Sequence, residues 1–376
     1  MSGAWGKHLP STTFKPIVPS SPSSSPMSPI RPFTPEPLDL DGGNVPEYQL
    51  DTSTEYNPFD KAWVDRELVL LNKYNQIIFN KCHKSFTYTK EQAIDLVNSN
   101  RLKSTKEQEF IQCMVISVFN EHTDKKYKGV SHIHKLTGGI KDNLMIEQKP
   151  FAEGSIASTY RVKLKIDNEV TKQPFSVLKI SKVHDSAESI HELTIGLALN
   201  SLRTPDKPFF PYFSYLYGGF ICGDDISSIC KTGFESLMYL QEFIDGRSYF
   251  DLITTLTYKD KCQIILQIAY ALYVAYSSLK FIHNDLHVKN ILVKKVNSTT
   301  LHLQDINYTL KNVSYIPVII DYGQSLLNQE DDCLDINMLG DSLREEDKNG
   351  PTLEPCRNSL LDWIKNFILT KTTLKE

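Results

Sequence analysis

The sequence has few of the features that mark extracellular, fibrous or polyanion-coating proteins. Its seven cysteines are an odd number, and no two of them have C-x-x-C spacing. That usage fits a reduced cytosolic or nuclear setting better than a disulfide framework or a structural zinc site. No charge of one sign dominates, because 41 basic residues stand against 45 acidic ones, for a net charge of −4. Direct binding to nucleic acid is therefore not expected to be its main task.

Long apolar runs are also scarce. Met1–Pro10 has no apolar core of the length that a secretory signal needs. The longest apolar run, Cys262–Leu279, raises the question of a membrane span. Gln263 and Gln267 lie four residues apart on one helical face of this run, and no strong charge asymmetry flanks it. We predict a buried helix, no membrane partner, and an intracellular protein that is cytoplasmic or nuclear.

The chain has 376 residues, of which 40% are hydrophobic, which allows one large domain or two ordinary ones with a sizeable core. Residues 1–60 contain 11 of the 19 prolines and many serines. Such a segment buries too little apolar surface to offset its ordering entropy, so we predict a disordered tail. Four hydroxyl residues of this tail precede a proline, but a plain flexible tail is favoured over a target of proline-directed kinases.

The remaining pattern predicts an α+β protein. Residues 61–145 have helical periodicity, with a capping box at Ser104–Glu107. Strand patterns follow at Phe175–Ile180 and Leu237–Phe243, separated by a helical stretch at Ala187–Leu202. Helix dominates after residue 250, with short strands predicted at residues 291–295 and 316–320. We therefore predict a helical extension at 61–145 and a domain at 146–376, with a sheet-rich lobe at about 146–245 and a helical lobe at about 246–376.

The motif that carries chemistry lies in the second half. Asp285 and Asn290 follow His283 in the spacing H-x-D-x-x-x-x-N, and Asp321-Tyr-Gly comes directly after a predicted buried strand. Phosphoryl transfer needs such a set. One Asp orients the attacking hydroxyl and accepts its proton, while an amide oxygen and a second Asp hold magnesium against the phosphates. We assign the first role to Asp285 and the second to Asn290 together with Asp321.

Upstream residues occur in the order that this chemistry requires. Lys179 on a predicted strand is placed to reach the α- and β-phosphates of ATP, and Glu192 on the next helix to pair with Lys179. Glu188 lies one turn earlier on the same face, but Glu192 is preferred because apolar residues continue its face. The phosphate-covering loop is a poor match to G-x-G-x-x-G, since only the middle glycine is kept. The predicted nucleotide-binding residues are Ala152, Gly154, Ser155, Ile156, Ala157, Val162, Lys179, and the backbones of Glu242 and Ile244.

Residues 146–345 resemble a eukaryotic-type protein kinase domain, and within that superfamily the haspin group and haspin-like kinases of large DNA viruses. Three features carry the resemblance: Asp-Leu-His ending at His287, Ile306–Lys311 inside a long insertion, and Asp335–Gly340 at the expected start of a central helix. The resemblance implies a two-lobed fold, ATP and Mg²⁺ as cofactors, and a protein substrate carrying Ser or Thr. Asp335 comes only twelve residues after Gly323, and no Ala-Pro-Glu motif fits between them, so the usual activation segment is missing or shortened.

Two other interpretations remain open. Small-molecule phosphotransferases of the aminoglycoside and choline kinase type share the catalytic spacing and also lack an activation segment. A pseudokinase that keeps the fold as a binding module would fit the degraded glycine loop, although Lys179, Asp285, Asn290 and Asp321 argue against it. The sequence leaves the oligomeric state, the substrate and the role of residues 61–145 undetermined.

Overall fold

The structure is a computed structural model that describes residues 90–99, 101, 103–121, 135–136, 143–154, 157–166, 169–181, 187–203, 210–222 and 237–372. The predicted tail at 1–60, the first predicted helix near residues 63–78, and Ser155 and Ile156 lie outside these residues. The described part contains both helices and antiparallel sheet, so the α+β class is confirmed. The boundaries between the predicted domains stay a prediction.

Seven α-helices are described. Two belong to the predicted extension, and the long α5 contains the apolar run. Their bounds are α1 Lys90–Asn98, α2 Thr105–Glu121, α3 Ala187–Asn200, the short α4 Tyr249–Leu252, α5 Tyr258–Leu279, α6 Leu334–Glu346 and α7 Leu360–Thr372. Helix α2 begins with the predicted capping box, because the Ser104 N–H donates to the Glu107 carboxylate at 2.8 Å and the Glu107 N–H donates to Ser104 Oγ at 3.4 Å.

Eleven strands are described, in two sheets. Their bounds are β1 Lys135–Leu136, β2 Leu144–Ile146, β3 Ala152–Glu153, β4 Ala157–Ile166, β5 Glu169–Val170, β6 Ser176–Ser181, β7 Leu216–Cys222, β8 Leu237–Glu242, β9 Arg247–Ser248, β10 Ile291–Leu303 and β11 Tyr308–Ile319. The larger sheet has the order β1-β7-β8-β6-β4-β2, and β3 and β5 also pair with β4. All its pairs are antiparallel except the pair of β1 with β7.

The second sheet is a long hairpin with one short neighbour. Strands β10 and β11 pair antiparallel from Ile291↔Ile319 to Leu303↔Tyr308, and β9 pairs with the start of β10. The turn between them is closed by Asn307, whose left-handed conformation (φ 48°) is one that asparagine tolerates well. The two short strands predicted at 291–295 and 316–320 are therefore confirmed, but each is part of a much longer strand.

Two apolar cores flank the larger sheet. The smaller core packs helices α1 and α2 against one face, through Ile111 and Val115 on one side and Tyr217 and Leu240 on the other. The larger core collects α3, α5, α6, α7 and the inner face of the hairpin. Along β8 the buried side chains alternate between the cores, with Leu237 and Tyr239 in the larger core and Met238 and Leu240 in the smaller one. The candidate site lies on the face of β6 and β8 that α1 and α2 do not cover.

Helix α5 is the one helix of the described part that is long and apolar enough, by length and composition, to cross a membrane. In the fold its residues are packed into the larger core, as predicted. Its two glutamines bind the hairpin, since Gln263 Nε2 donates to Lys311 O and Gln267 Nε2 donates to Tyr315 O, each at 3.0 Å. These bonds satisfy carbonyl groups on the hairpin strand that lies beside the helix.

The prediction of reduced cysteines is wrong for at least one pair. Cys333 and Cys356 form a disulfide, with their Cα atoms 5.3 Å apart, and Cys113 is also disulfide-bonded. The sequence concealed the first pair because its members are 23 residues apart and belong to no short motif. They meet because the extended chain before α7 folds back on α6, where Asn337 forms two further hydrogen bonds with the backbone of Cys356.

Candidate active site

Lys179 lies on β6 and forms a close ion pair with α3. Its Nζ is 2.6 Å from Glu192 Oε1 and 2.8 Å from Oε2, so the structure brings together the two residues that the sequence paired. Burial alone would lower the pKa of Lys179, but the carboxylates of Glu192 and Asp321 outweigh it, and the pKa is raised. The lysine is therefore fully charged at neutral pH, as a ligand for phosphates must be.

Asp321 connects the hairpin to the same lysine. It comes two residues after the end of β11, adopts a left-handed backbone conformation with φ 68°, and places Oδ1 3.3 Å from Lys179 Nζ. About half of the Asp321 side chain is exposed, which leaves the carboxylate accessible to a ligand. Non-glycine residues with such φ values are uncommon and concentrate at functional sites.

The hydroxyl of Tyr322 anchors this conformation. Tyr322 is fully buried. Its hydroxyl donates to Ile319 O at 2.9 Å, accepts from Ser214 N–H at 3.0 Å, and lies 2.9 Å from Ser214 Oγ. Burial raises the pKa of the Tyr322 hydroxyl, so it remains a proton donor at physiological pH. The residue after Asp321 is thus bonded to the segment that leads into β7.

The loop before β10 holds the second pair of predicted residues. Asn290 Nδ2 donates to the carbonyl of Asp285 at 2.9 Å and to its carboxylate at 3.2 Å. Asn290 is buried, whereas the Asp285 side chain is 46% exposed and so open to an acceptor group. The Ile320 N–H donates to Asn290 O at 3.0 Å, which extends the hairpin by one bond. That bond sets Asn290 and Asp321 at the same end of the hairpin.

Asp335, at the start of α6, holds the backbone of the loop that contains Asp285. Its carboxylate accepts from the backbone N–H of His283 at 2.7 Å and of Asn284 at 2.9 Å. The His283 ring is fully buried and its Nε2 lies 3.0 Å from Ile320 O. Asn284 has φ 59°, a turn conformation that the Asp335 carboxylate stabilises. His283 therefore has a structural place between the loop and the end of β11.

Gly154 directly follows β3, which pairs antiparallel with β4. Ala152 pairs with Thr159, and the Gly154 N–H donates to Ala157 O at 2.9 Å. The Gly154 N–H is therefore bonded within the chain. A Cβ at Gly154 would meet only ordinary contacts, so the position does not require glycine for space.

Val162 is not part of the candidate site. It is fully buried in the smaller core, on the face of the sheet that α1 and α2 cover. Side chains alternate along β4, and Lys179 pairs with Thr159. Thr159 therefore shares the face of Lys179, and Val162, three residues later, faces the other way. Counting strand parity from Lys179 would have found Thr159.

The predicted adenine contacts follow β8. The Glu242 N–H donates to Tyr215 O at 2.7 Å, and Ile244 O accepts from the Gly246 N–H at 2.9 Å. These two groups are therefore already bonded within the chain. The groups that we assign to a purine are the Glu242 carbonyl and the Ile244 N–H.

The arrangement of Asn290 and Asp321 fits a hard divalent cation. The Asn290 amide nitrogen is occupied by Asp285, which directs the amide oxygen elsewhere, and Asp321 offers a half-exposed carboxylate at the same end of the hairpin. Amide and carboxylate oxygens are the ligands that Mg²⁺ prefers. With the ammonium group of Lys179 beside Asp321, the site combines anion-binding and cation-binding groups, as a phosphate–magnesium complex requires.

Comparisons with known proteins give partial similarity. No family model matches the chain. It is 30% identical over 140 residues to "Probable kinase 098L" of Invertebrate iridescent virus 3, covering 36% of this chain and 24% of that protein. It is 27% identical over 168 residues to "Uncharacterized protein 035R" of the same virus, covering 37% and 14%. A Caenorhabditis elegans protein, "Uncharacterized protein ZK177.2", is 23% identical over 232 residues, covering 59% and 75%.

The similarity to the protein named as a probable kinase supports a kinase-like character for part of the chain. The matched stretch spans less than a quarter of each of the two viral relatives.

Proposed function

We propose that the chain is an ATP- and Mg²⁺-dependent serine/threonine protein kinase of the haspin-like type, with a two-lobed catalytic domain at residues 146–376. The observation that carries the proposal is the convergence of Lys179, Glu192 and Asp321 within 2.6–3.3 Å beside the joined pair of Asp285 and Asn290. The partial similarity to a protein named as a probable kinase supports it. The order β7-β8-β6-β4 of the larger sheet, with helix α3 between β6 and β7, also supports it.

Each residue of the site has one task in this proposal. Lys179, oriented by Glu192, neutralises charge on the α- and β-phosphates and so helps to place the nucleotide for in-line attack. Asn290 and Asp321 would hold Mg²⁺, which when bound would supply neutralising charge at the phosphates. Asp285 accepts a hydrogen bond from the acceptor hydroxyl and takes its proton as the new oxygen–phosphorus bond forms and the bond from the γ-phosphorus to the β,γ-bridging oxygen breaks, with ADP as the leaving group. The backbone between Glu242 and Ile244 receives the adenine ring.

A second candidate is a kinase of small molecules with the same machinery. Between Gly323 and Leu334 the chain is short and held to the start of the catalytic loop, since Ile282 and Leu326 exchange two backbone hydrogen bonds of 2.9 and 2.8 Å. This segment offers little surface on which to lay an extended peptide. A third candidate, the pseudokinase, is favoured by the Gly154 N–H, which is bonded within the chain.

Incubation with radiolabelled ATP, Mg²⁺ and a mixed protein pool tests the proposal, with Asp285→Asn as the matched control. Label in serine or threonine of protein supports it. Label in a low-mass fraction supports the small-molecule kinase, and nucleotide binding without turnover supports the pseudokinase. We propose a cytoplasmic or nuclear site of action, in a host cell or virion if the chain is viral, with no direct contact to nucleic acid or membrane.

A further inference from the structure

Helix α2 carries two buried glutamines in the middle of its apolar face. Gln108 and Gln112 lie one helical turn apart and are 0% and 3% exposed. Their neighbours on the helix, such as Ile111 and Val115, pack into the smaller core. Buried amides in an apolar contact are costly unless every polar group is bonded, so the partners of these two side chains define where the helix must sit on the sheet.

Gln108 bonds directly to the start of the proposed adenine-binding segment. Its Nε2 donates to Glu242 Oε1 at 2.5 Å, and its Oε1 accepts from the Tyr217 hydroxyl at 2.6 Å. The other carboxylate oxygen of Glu242 accepts from the Tyr215 N–H at 3.3 Å and lies 3.5 Å from Arg203. Glu242 is therefore held by donors from α2, from the segment after α3 and from the strand leading into β7.

The backbone of Glu242 is fixed at the same place. Its N–H donates to Tyr215 O at 2.7 Å, and the Phe243 N–H donates to Phe175 O at 3.2 Å. Ile244 follows one residue later, so the carboxylate of Glu242 is anchored within two residues of both groups that we assign to the purine. A change in the position of this carboxylate is transmitted to them by the chain itself.

Gln112 supplies a matched comparison on the same helix. Its Oε1 accepts from the Tyr215 hydroxyl at 2.9 Å, and its Nε2 donates to Leu216 O at 3.0 Å. Both glutamines are thus buried and bonded to the same strand region. Only Gln108 is bonded to Glu242.

We propose that helix α2 is a positioning element of the nucleotide site, and that Gln108 sets nucleotide affinity by holding Glu242. This inference rests on the proposed function. It gives the helical extension a role that couples it to the catalytic domain. Anything that displaces α2, a partner protein included, changes the affinity for ATP and leaves the chemical step unaltered, because Asp285 and Asn290 are bonded to other elements.

The test compares Gln108→Leu and Gln112→Leu in the full chain. We expect Gln108→Leu to raise the Kd of an Mg²⁺-bound fluorescent ATP analogue about five-fold with kcat close to wild type. Gln112→Leu should lower the melting temperature about as much as Gln108→Leu does, and should leave the Kd within about two-fold of the wild-type value. In a Glu242→Gln background the effect of Gln108→Leu should shrink, because the carboxylate that it positions is absent.

Equal Kd values for all variants, with normal binding by wild type, would overturn the inference and leave the proposed function standing. An equal rise in Kd for Gln108→Leu and Gln112→Leu would also overturn it, since that pattern is a general loss of stability. Absence of nucleotide binding by wild type would instead overturn the proposed function. Gln108→Glu, which keeps the acceptor for Tyr217 and sets a second carboxylate against Glu242, is a second variant and should raise the Kd at least as much.

Discussion

The carboxylate of Asp335 holds the backbone N–H of His283 at 2.7 Å, across 52 residues of sequence. The same carboxylate binds the next N–H in the chain, and it does so from a buried position at the start of α6. A carboxyl group that accepts hydrogen bonds from two successive backbone N–H groups, one on each oxygen, fixes the turn at both residues. The loop that contains Asp285 is therefore clamped by a residue that would never touch a substrate.

Replacing Asp335 by Asn should lower the free energy of unfolding by about 1–3 kcal/mol, because the amide nitrogen cannot accept the second N–H. Burial raises the pKa of Asp335 above its ordinary 3.8. The folded state therefore binds this proton more tightly than the unfolded chain. The contribution of Asp335 to the free energy of unfolding is complete at pH values below its pKa in the unfolded chain. It is lost as the pH rises through its pKa in the folded protein. Urea unfolding between about pH 4 and about pH 7 should show this dependence in wild type. An identical slope of the free energy of unfolding against pH in Asp335→Asn would contradict it.

Asp321→Ala should abolish phosphate transfer while leaving the fold intact. The side chain is half exposed and its contact is with a lysine that keeps a second partner in Glu192. In the proposed mechanism its loss removes a magnesium ligand, and in the structure it removes little packing. Turnover and melting temperature measured on the same preparation check this, and normal turnover would exclude Asp321 as a metal ligand.

Asp285→Asn and Lys179→Met should fail in different ways. In the proposed mechanism Asp285 acts late, on the acceptor hydroxyl, so its loss should spare ATP affinity and reduce kcat by roughly 10²–10⁴-fold. Lys179 is proposed to contact phosphates in the ground state, so its replacement should lower turnover and weaken ATP binding. Titration with nucleotide and steady-state kinetics separate the two. If Asp285→Asn melted early but turned over normally per folded molecule, Asp285 would be a turn residue only.

Tyr322→Phe should raise the Mg²⁺ concentration needed for half-maximal activity, because the hydroxyl bonds to Ser214 and Ile319 fix the residue next to Asp321. The expected cost in stability is about 1–3 kcal/mol for buried polar groups left without a partner. Tyr270→Phe is the control, since its hydroxyl donates to Asp305 at 2.6 Å, away from the site. The control should lose stability with an unchanged Mg²⁺ requirement; a shift of the same size in both would refute the positioning role.

Activity should not require phosphorylation within the segment that follows Asp321. Ser325 is the one hydroxyl residue between Gly323 and Asp335. It is fully buried, and its Oγ donates to His283 O at 3.2 Å. This segment contains no long loop that a phosphate group would have to order. Protein made in bacteria and treated with phosphatase should keep its full turnover, and a large loss after treatment would contradict this expectation.

Local patterns predicted much of this architecture. The strand at Ser176–Ser181, the helix from Ala187 and the capping box of α2 were predicted from periodicity and capping alone, and are confirmed. The spacing of Asp285 and Asn290 was visible because both lie in one short loop. Roles in catalysis remain predictions for all of them.

Long-range partners could not be predicted. Gln108 and Glu242 are 134 residues apart, and Ser214 and Tyr322 are 108 apart. Such contacts depend on how strands are ordered in the sheet, which no local pattern specifies. The wrong prediction for Val162 has a different cause. Its strand was predicted, but the face of the sheet on which its side chain lies was not. Because side chains alternate between faces, assigning a strand residue to a site requires knowing its face as well as its strand.

The hairpin that covers helix α5 also has a consequence for how the chain is made. Helix α5 ends at Leu279, whereas the strand that accepts hydrogen bonds from its glutamines ends at Ile319. At ordinary rates of translation, the roughly 40 intervening residues take on the order of 2–8 s to synthesise. During that interval this long apolar helix of the nascent chain has left the ribosome without its cover. The protein should therefore depend on chaperones during synthesis more than its finished surface suggests.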